Sequence, residues 1–139
     1  MNNNLDSVII ELVVTACQME ANNIWMQGDL EIRLNNEKPY SDEDIIDVDE
    51  FLKSLEQDGE FSIFSCCCGI PECSGWKLGI QVLHLDGNIK WTNPNNGKTW
   101  SFSRQKVESD LIQIRKELTN YKYFFSQRKT EYVGVGYNW

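Results

Sequence analysis

Histidine occurs once in this chain, at His84, and no stretch approaches the ~18 consecutive apolar residues that a membrane-spanning helix needs. The sequence contains no glycine-rich phosphate loop, no Gly-x-Ser-x-Gly nucleophile elbow and no histidine-rich metal motif. It therefore gives no support to P-loop nucleotide chemistry, serine-hydrolase chemistry or a site built on several histidines. Basic charge is also in short supply, with 13 Lys and Arg against 21 Asp and Glu and a net charge of −8. A chain of that balance repels phosphate backbones, so nucleic acid is a poor partner and a basic protein surface a good one. Val14-Thr15-Ala16-Cys17 has the outline of a lipoprotein cleavage site. No Lys or Arg precedes it, Asp6 lies ahead of the apolar run and Glu11 interrupts it, so a lipid anchor and a membrane partner are not expected.

The residues that are present describe a folded globule. With 139 residues, 41% of them hydrophobic and 12% aromatic, the chain can bury a core without disulfide support. A single domain over 1–139 is expected, with 1–6 frayed and 130–139 forming an edge strand or a tail. Four of the five cysteines fall between positions 66 and 73. Cysteines that close in sequence do not staple separate elements, which points to a reducing compartment and a cytoplasmic protein.

The negative charge is concentrated. Glu37, Asp42, Glu43, Asp44, Asp47, Asp49, Glu50, Glu56, Asp58 and Glu60 share one segment with only Lys38 and Lys53, so that segment carries the whole net charge of −8. The rest of the chain is neutral overall. Asp42, Glu43, Asp44, Asp49, Glu50, Glu56 and Asp58 are the candidate partner-binding residues.

Hydrophobic periodicity organises the chain into strands, a helix, strands and a second helix. Positions 7–19 are rich in β-branched residues and favour a strand. Positions 24–34 place Ile24, Met26, Leu30, Ile32 and Leu34 on one face of a half-buried antiparallel strand, with Ala21-Asn22-Asn23 as the turn between the two. A helix follows, with Asp47 as cap, Glu50 completing a capping box, and Ile46 and Phe51 in staple positions. Val48, Phe51, Leu52 and Leu55 make its apolar stripe, Asp49, Glu50 and Glu56 its outer side, and Gly59 its stop. The run from Phe61 to Phe64 reads as buried on both faces. Asp86-Gly87 between alternating runs specifies a two-residue type I′ hairpin pairing Leu85 with Asn88, His84 with Ile89, Leu83 with Lys90 and Val82 with Trp91. That register turns His84 inward with Ile80, Val82, Ile89 and Trp91. Positions 98–102 return as a third strand after the Asn93–Gly97 turn. Ser103 then opens a long helix with the stripe Val107, Leu111, Ile114, Leu118, Tyr121 and Phe125 and a positive balance. The fold class expected is α+β, a mostly antiparallel sheet with two main helices packed on it.

The cysteine stretch turns through Gly69 and Pro71 and admits three readings. Cys66, Cys68, Cys73 and His84 form a Cys3His set suited to zinc, although Cys-x-Cys is tighter than usual zinc spacing. Alternatively the cysteines are small apolar residues packed in a turn. A thiol enzyme using the cysteines between Cys66 and Cys73 with His84 lacks an identifiable oxyanion donor or orienting acid. Neither a catalytic residue nor a cofactor is assigned on these grounds, and zinc remains an open possibility.

The pattern Phe61-x-x-Phe64-x-Cys66-x-Cys68-Gly69-x-Pro71-x-Cys73-x-Gly75, followed by Gly79-Ile80-x-Val82 and Ile89-x-Trp91, resembles a poorly characterised family of small bacterial proteins. The resemblance spans about 51–118. In size and acidity the chain is similar to immunity proteins of contact-dependent inhibition and related polymorphic toxin systems. That likeness implies a non-enzymatic cytoplasmic inhibitor that neutralises a cognate basic toxin, such as a nuclease, through its acidic surface. The alternative is a small structural zinc-binding module.

Overall fold

The β-branched run at the N-terminus forms β1 (Val8–Glu20), which pairs antiparallel with β2 (Asn23–Leu34). The computed structural model describes residues 4–20, 23–66 and 75–134. Val8 opposite Leu34, Ile10 opposite Ile32 and Leu12 opposite Leu30 place the apolar side chains on one face, as period-two alternation requires. Burial follows the alternation only in the proximal half of the hairpin. Leu30, Ile32 and Leu34 are buried, whereas Ile24 is 53% exposed. Glu20 pairs with Asn23, and the expected turn at Ala21-Asn22 lies outside the described residues.

A short strand, β3 (Asp44–Ile46), leads into helix α1 (Val48–Ser54). Asp47 caps the helix by accepting from Glu50 N–H at 3.1 Å. The other half of the expected capping box is not formed. Asp47 N–H donates to Ile63 O, and the Glu50 carboxylate accepts from Ser62 N–H at 3.0 Å. The helix also stops earlier than Gly59. The Leu55 and Glu56 N–H groups turn back to Leu52 O and Lys53 O, tightening the last turn. Gly59, at φ +148°, instead starts β4 (Gly59–Phe61). Phe61, Ile63 and Phe64 are buried as expected, with Ser62 exposed. This run crosses between sheets, from β4 into β5 (Phe64–Cys66), which pairs antiparallel with β3.

β6 (Ile80–Leu85), β7 (Asn88–Asn93) and β8 (Lys98–Ser103) form the expected meander, and β4 adds to the outer edge of β6. Every pairing read from the Asp86-Gly87 turn is present. Asp86 at φ 50° and Gly87 at φ 81° have the positive values that a type I′ turn demands. The side chain of Asn95 ties the next turn to the incoming chain, accepting from Leu78 N–H and donating to Leu78 O.

Asp6 links the two larger sheets. Its N–H donates to Ser101 O at 2.7 Å, and its carboxylate accepts from Ser101 N–H at 2.8 Å. Asp6, the last residue of the N-terminus expected to fray, is thus pinned to the edge of β8.

Ser103 caps helix α2 (Arg104–Gln127) through Lys106 N–H. Val107, Leu111, Ile114 and Leu118 are buried, but the stripe leaves the core there, and Tyr121 is 37% exposed. Tyr121 and Phe125 stack in sequence with Tyr132 of β9 (Glu131–Val133), which lies parallel beside β2. β9 lies at one edge of the β1-β2-β9 sheet, and positions 135–139 lie outside the described residues. One apolar cluster runs from Val8 to Leu118, with Trp91 at its centre in edge-to-face contact with Phe51, Phe64 and Phe102. The fold is α+β, with two helices and mostly antiparallel sheets.

Candidate functional site

The segment between β2 and β3 is anchored from the core outward. Phe64 stacks on Tyr40 at 4.8 Å between ring centroids and lies 5.2 Å from Trp76, so the central aromatic cluster extends to both residues. The Tyr40 hydroxyl accepts from Ile32 N–H at 3.2 Å, which pins the loop to β2. Burial pushes the Tyr40 phenol above its ordinary value, because phenolate would lose hydration, and the Ile32 bond offsets part of that rise. Lys38 pairs with Asp42 and sits 5.7 Å from the Tyr40 ring centre. Hydrogen bonding between the two charges raises the lysine and lowers the carboxylate from their ordinary ranges.

Asp44 is placed opposite Cys66 by the pairing of β3 with β5 and is only 9% exposed. Its Oδ2 accepts from Ser41 N–H at 2.9 Å and from Trp76 Nε1–H at 3.0 Å. Its Oδ1 is closed to solvent and has no hydrogen-bond partner among the described residues. Asp44 lines two concavities. A polar one of about 600 Å³ is walled by Trp76, Trp100, Asn93, Asn95 and Lys98. The other, about 840 Å³, runs between β2 and β3 and is lined by Asp29, Glu31, Asp42, Glu43 and Asp44, with Lys38 as its basic residue and Val13, Leu30, Tyr40 and Ile46 among its apolar walls.

The expected partner-binding set is divided by the fold. Asp42 and Glu43 open on this groove, and Asp44 lies in its wall, buried rather than on the surface. Asp49 and Glu56 are exposed, Glu56 in a separate groove between α1 and α2 with Arg104 and Arg115. Glu50 is committed to Ser62 N–H and lies 3.8 Å from Lys53. Asp58 accepts from His84 N–H at 2.8 Å. Asp29 and Glu31 were missed because they lie outside the acidic run. Their outward parity on β2, opposite Leu30 and Ile32, was the available signal.

His84 looks inward, onto the end of α1. Its Nε2 donates to Ser54 O at 2.9 Å, and Nδ1 lies 3.3 Å from Asp58 Oδ1. With both ring nitrogens facing protein oxygens, the imidazole closes the helix C-terminus and is not presented as a ligand. A Cys3His site would have to break those contacts. Cys66 is half-buried, and Cys67, Cys68 and Cys73, with the Gly69-Pro71 turn, lie outside the described residues. Among the described residues, no group of three or more His, Cys, Asp or Glu side chains is arranged to hold a metal.

What the arrangement offers is a carboxylate-rich concavity that can pair with cationic groups. The chain matches no known protein family, no curated protein and no solved structure. Among the described residues, no helix is long and apolar enough to cross a membrane.

Proposed function

We propose that the chain is a cytoplasmic immunity protein that neutralises a cognate basic toxin, such as a nuclease, by binding it through the acidic surface and without chemistry of its own. The observation that carries this reading is the convergence of Asp29 and Glu31 from β2 with Asp42 and Glu43 from the acidic run on one groove. A field of one sign speeds encounter with a basic surface and disfavours acidic competitors. Exposed Asp49 and Glu56 extend the negative charge beyond the groove. The competing zinc-module reading is weakened by the commitment of His84 to Ser54 and Asp58.

The test is to sequence the genes flanking the one for this chain and to co-express the chain with any toxin domain found there. Cells expressing both should grow, and the purified pair should form a complex whose affinity falls as salt rises. Toxicity undiminished by the chain would refute the proposal.

A further inference from the structure

We infer that two copies of this chain pair through the open edge of β1, antiparallel about a two-fold axis at Thr15, to make one continuous sheet. The inference stands on the strand edges alone and does not depend on the functional reading above.

The fold closes its other long edges with specific groups. Asp6 exchanges hydrogen bonds with Ser101 on β8, and the Asp58 carboxylate accepts from His84 N–H where β6 runs on past β4. On β2, the Tyr40 hydroxyl accepts from Ile32 N–H, Glu37 O accepts from Leu34 N–H, and β9 covers positions 25–27. β1 is closed at its start, where the Asp110 carboxylate accepts from Ile10 N–H at 2.9 Å. That N–H points away from β2, and alternation turns the backbone of Leu12, Val14 and Ala16 the same way. Helix α2 flanks positions 9–12 with Asp110, Gln113 and Glu117, and by Phe125 it has reached Tyr132 of β9, beyond β2. Its course leaves the later part of the β1 edge uncovered. Among the described residues, no strand or side chain is hydrogen-bonded to the outer side of Val14 or Ala16.

Chemistry and symmetry together select a second copy as the occupant. Positions 12–18 read Leu-Val-Val-Thr-Ala-Cys-Gln, without the charges or prolines that keep an edge from pairing. Val13 is 38% exposed, and Thr15 and Ala16 are exposed. The run is bounded by the Asp110 bond at Ile10 and by the register shift between Gln18 and Glu20. Ile10 and Glu20 are equally distant from Thr15. Antiparallel self-pairing centred there sets Val14 against Ala16, Val13 against Cys17 and Thr15 against its own counterpart, and the pairing stops at both bounds together. No acidic residue then faces another, since Glu11 lies opposite position 19 and Glu20 opposite Ile10. A two-fold pairing uses both open edges at once and so closes at the dimer. A ladder this short buries less than the ~1,200 Å² of a standard interface, so the dimer is weak and concentration-dependent.

The experiment follows sedimentation velocity and amide exchange together as the concentration of the purified chain is raised. Sedimentation should show a reversible monomer–dimer equilibrium. Exchange at Val14 and Ala16 should slow with concentration, while Val13 and Thr15, whose N–H groups face β2, should not change. Thr15→Lys sets two ammonium groups across the axis and should raise the dimer dissociation constant about tenfold. The variant should keep the monomer folded, because Thr15 is exposed. Thr15→Cys should yield an intermolecular disulfide at position 15 under mild oxidation, since the Cα atoms of such a non-hydrogen-bonded pair stand about 4.5 Å apart. Peptide mapping identifies the linkage. A monomer at every concentration, a dimer whose protection lies elsewhere, or linkage that avoids position 15 would overturn the inference. Protection of Val14 and Ala16 that appears only when another protein is added would assign the edge to that partner and overturn it as well.

Discussion

The Trp76 indole donates to the Asp44 carboxylate across 3.0 Å, joining residues 32 positions apart in a buried pair. The bond ties the chain beyond the cysteine stretch to the acidic segment and holds one wall of each concavity. Trp76→Phe retains an aromatic ring against Phe64 but removes the donor. It should lower stability by about 1–3 kcal/mol in chemical denaturation, because a buried oxygen loses a partner. An unchanged midpoint would show that the bond does not hold the loop.

The hairpin turn gives a second expectation. Asp86 sits at φ 50°, which proline cannot adopt. Asp86→Pro should cost more than about 1 kcal/mol, whereas Asp86→Gly should be nearly neutral. Equal melting temperatures for the two variants would contradict the turn assignment.

Gly28 leaves room for a ring. A Cβ there would stand 1.9 Å from Tyr132 Oη and 3.2 Å from Leu12 Cδ1. Gly28→Ala should therefore displace Tyr132 and loosen β9, seen as faster amide exchange over 131–133. Tyr132→Phe should cost little, since the hydroxyl is buried with no partner among the described residues. Unaltered exchange in Gly28→Ala would mean that the strand tolerates the shift.

The Tyr40 phenol supplies a pH dependence. Its folded value is raised above 10.0, mainly by burial, so the unfolded chain releases this proton first. The stabilising contribution is complete below the unfolded value and is lost as pH rises through the folded one. Tyr132, also raised mainly by burial, and Lys38, raised mainly by its bond to Asp42, act in the same direction. The denaturation midpoint should thus fall above about pH 10, and less steeply in Tyr40→Phe. Parallel pH profiles for the two proteins would exclude Tyr40 as a contributor.

Legibility followed the range of the interactions. The hairpin at Asp86-Gly87 was readable to the residue because two positive-φ positions and strict alternation leave one register. The same holds for the Ser103 cap and the core stripe as far as Leu118. The capping box at Glu50 failed because Ser62 and Ile63, 12 and 13 residues on from Glu50, return to the helix start and take both hydrogen bonds. Tyr121 and Phe125 fit the helical period yet lie beyond the buried stretch, where Tyr132 meets them instead of the core. In the candidate site, the acidic run located Asp42 and Glu43, but no local pattern announces that Asp44 turns inward to Trp76 or that Asp29 and Glu31 join the groove. Those facts arise from the placement of β2 and β3 on two sides of one groove and from the packing of Phe64 against both aromatic neighbours.

If negative charge on this surface draws in a basic toxin, as proposed, the association rate must depend on ionic strength. Glu43, Asp49 and Glu56 are exposed and hold no side-chain hydrogen bond or ion pair among the described residues, so reversing all three to lysine leaves the fold's own contacts in place. Wild type should associate fast at low salt and slow steeply as salt rises. The triple variant should stay folded, associate roughly tenfold more slowly at low salt and depend only weakly on ionic strength. A folded triple variant with wild-type rates at every salt concentration would show that this charge plays no part in association.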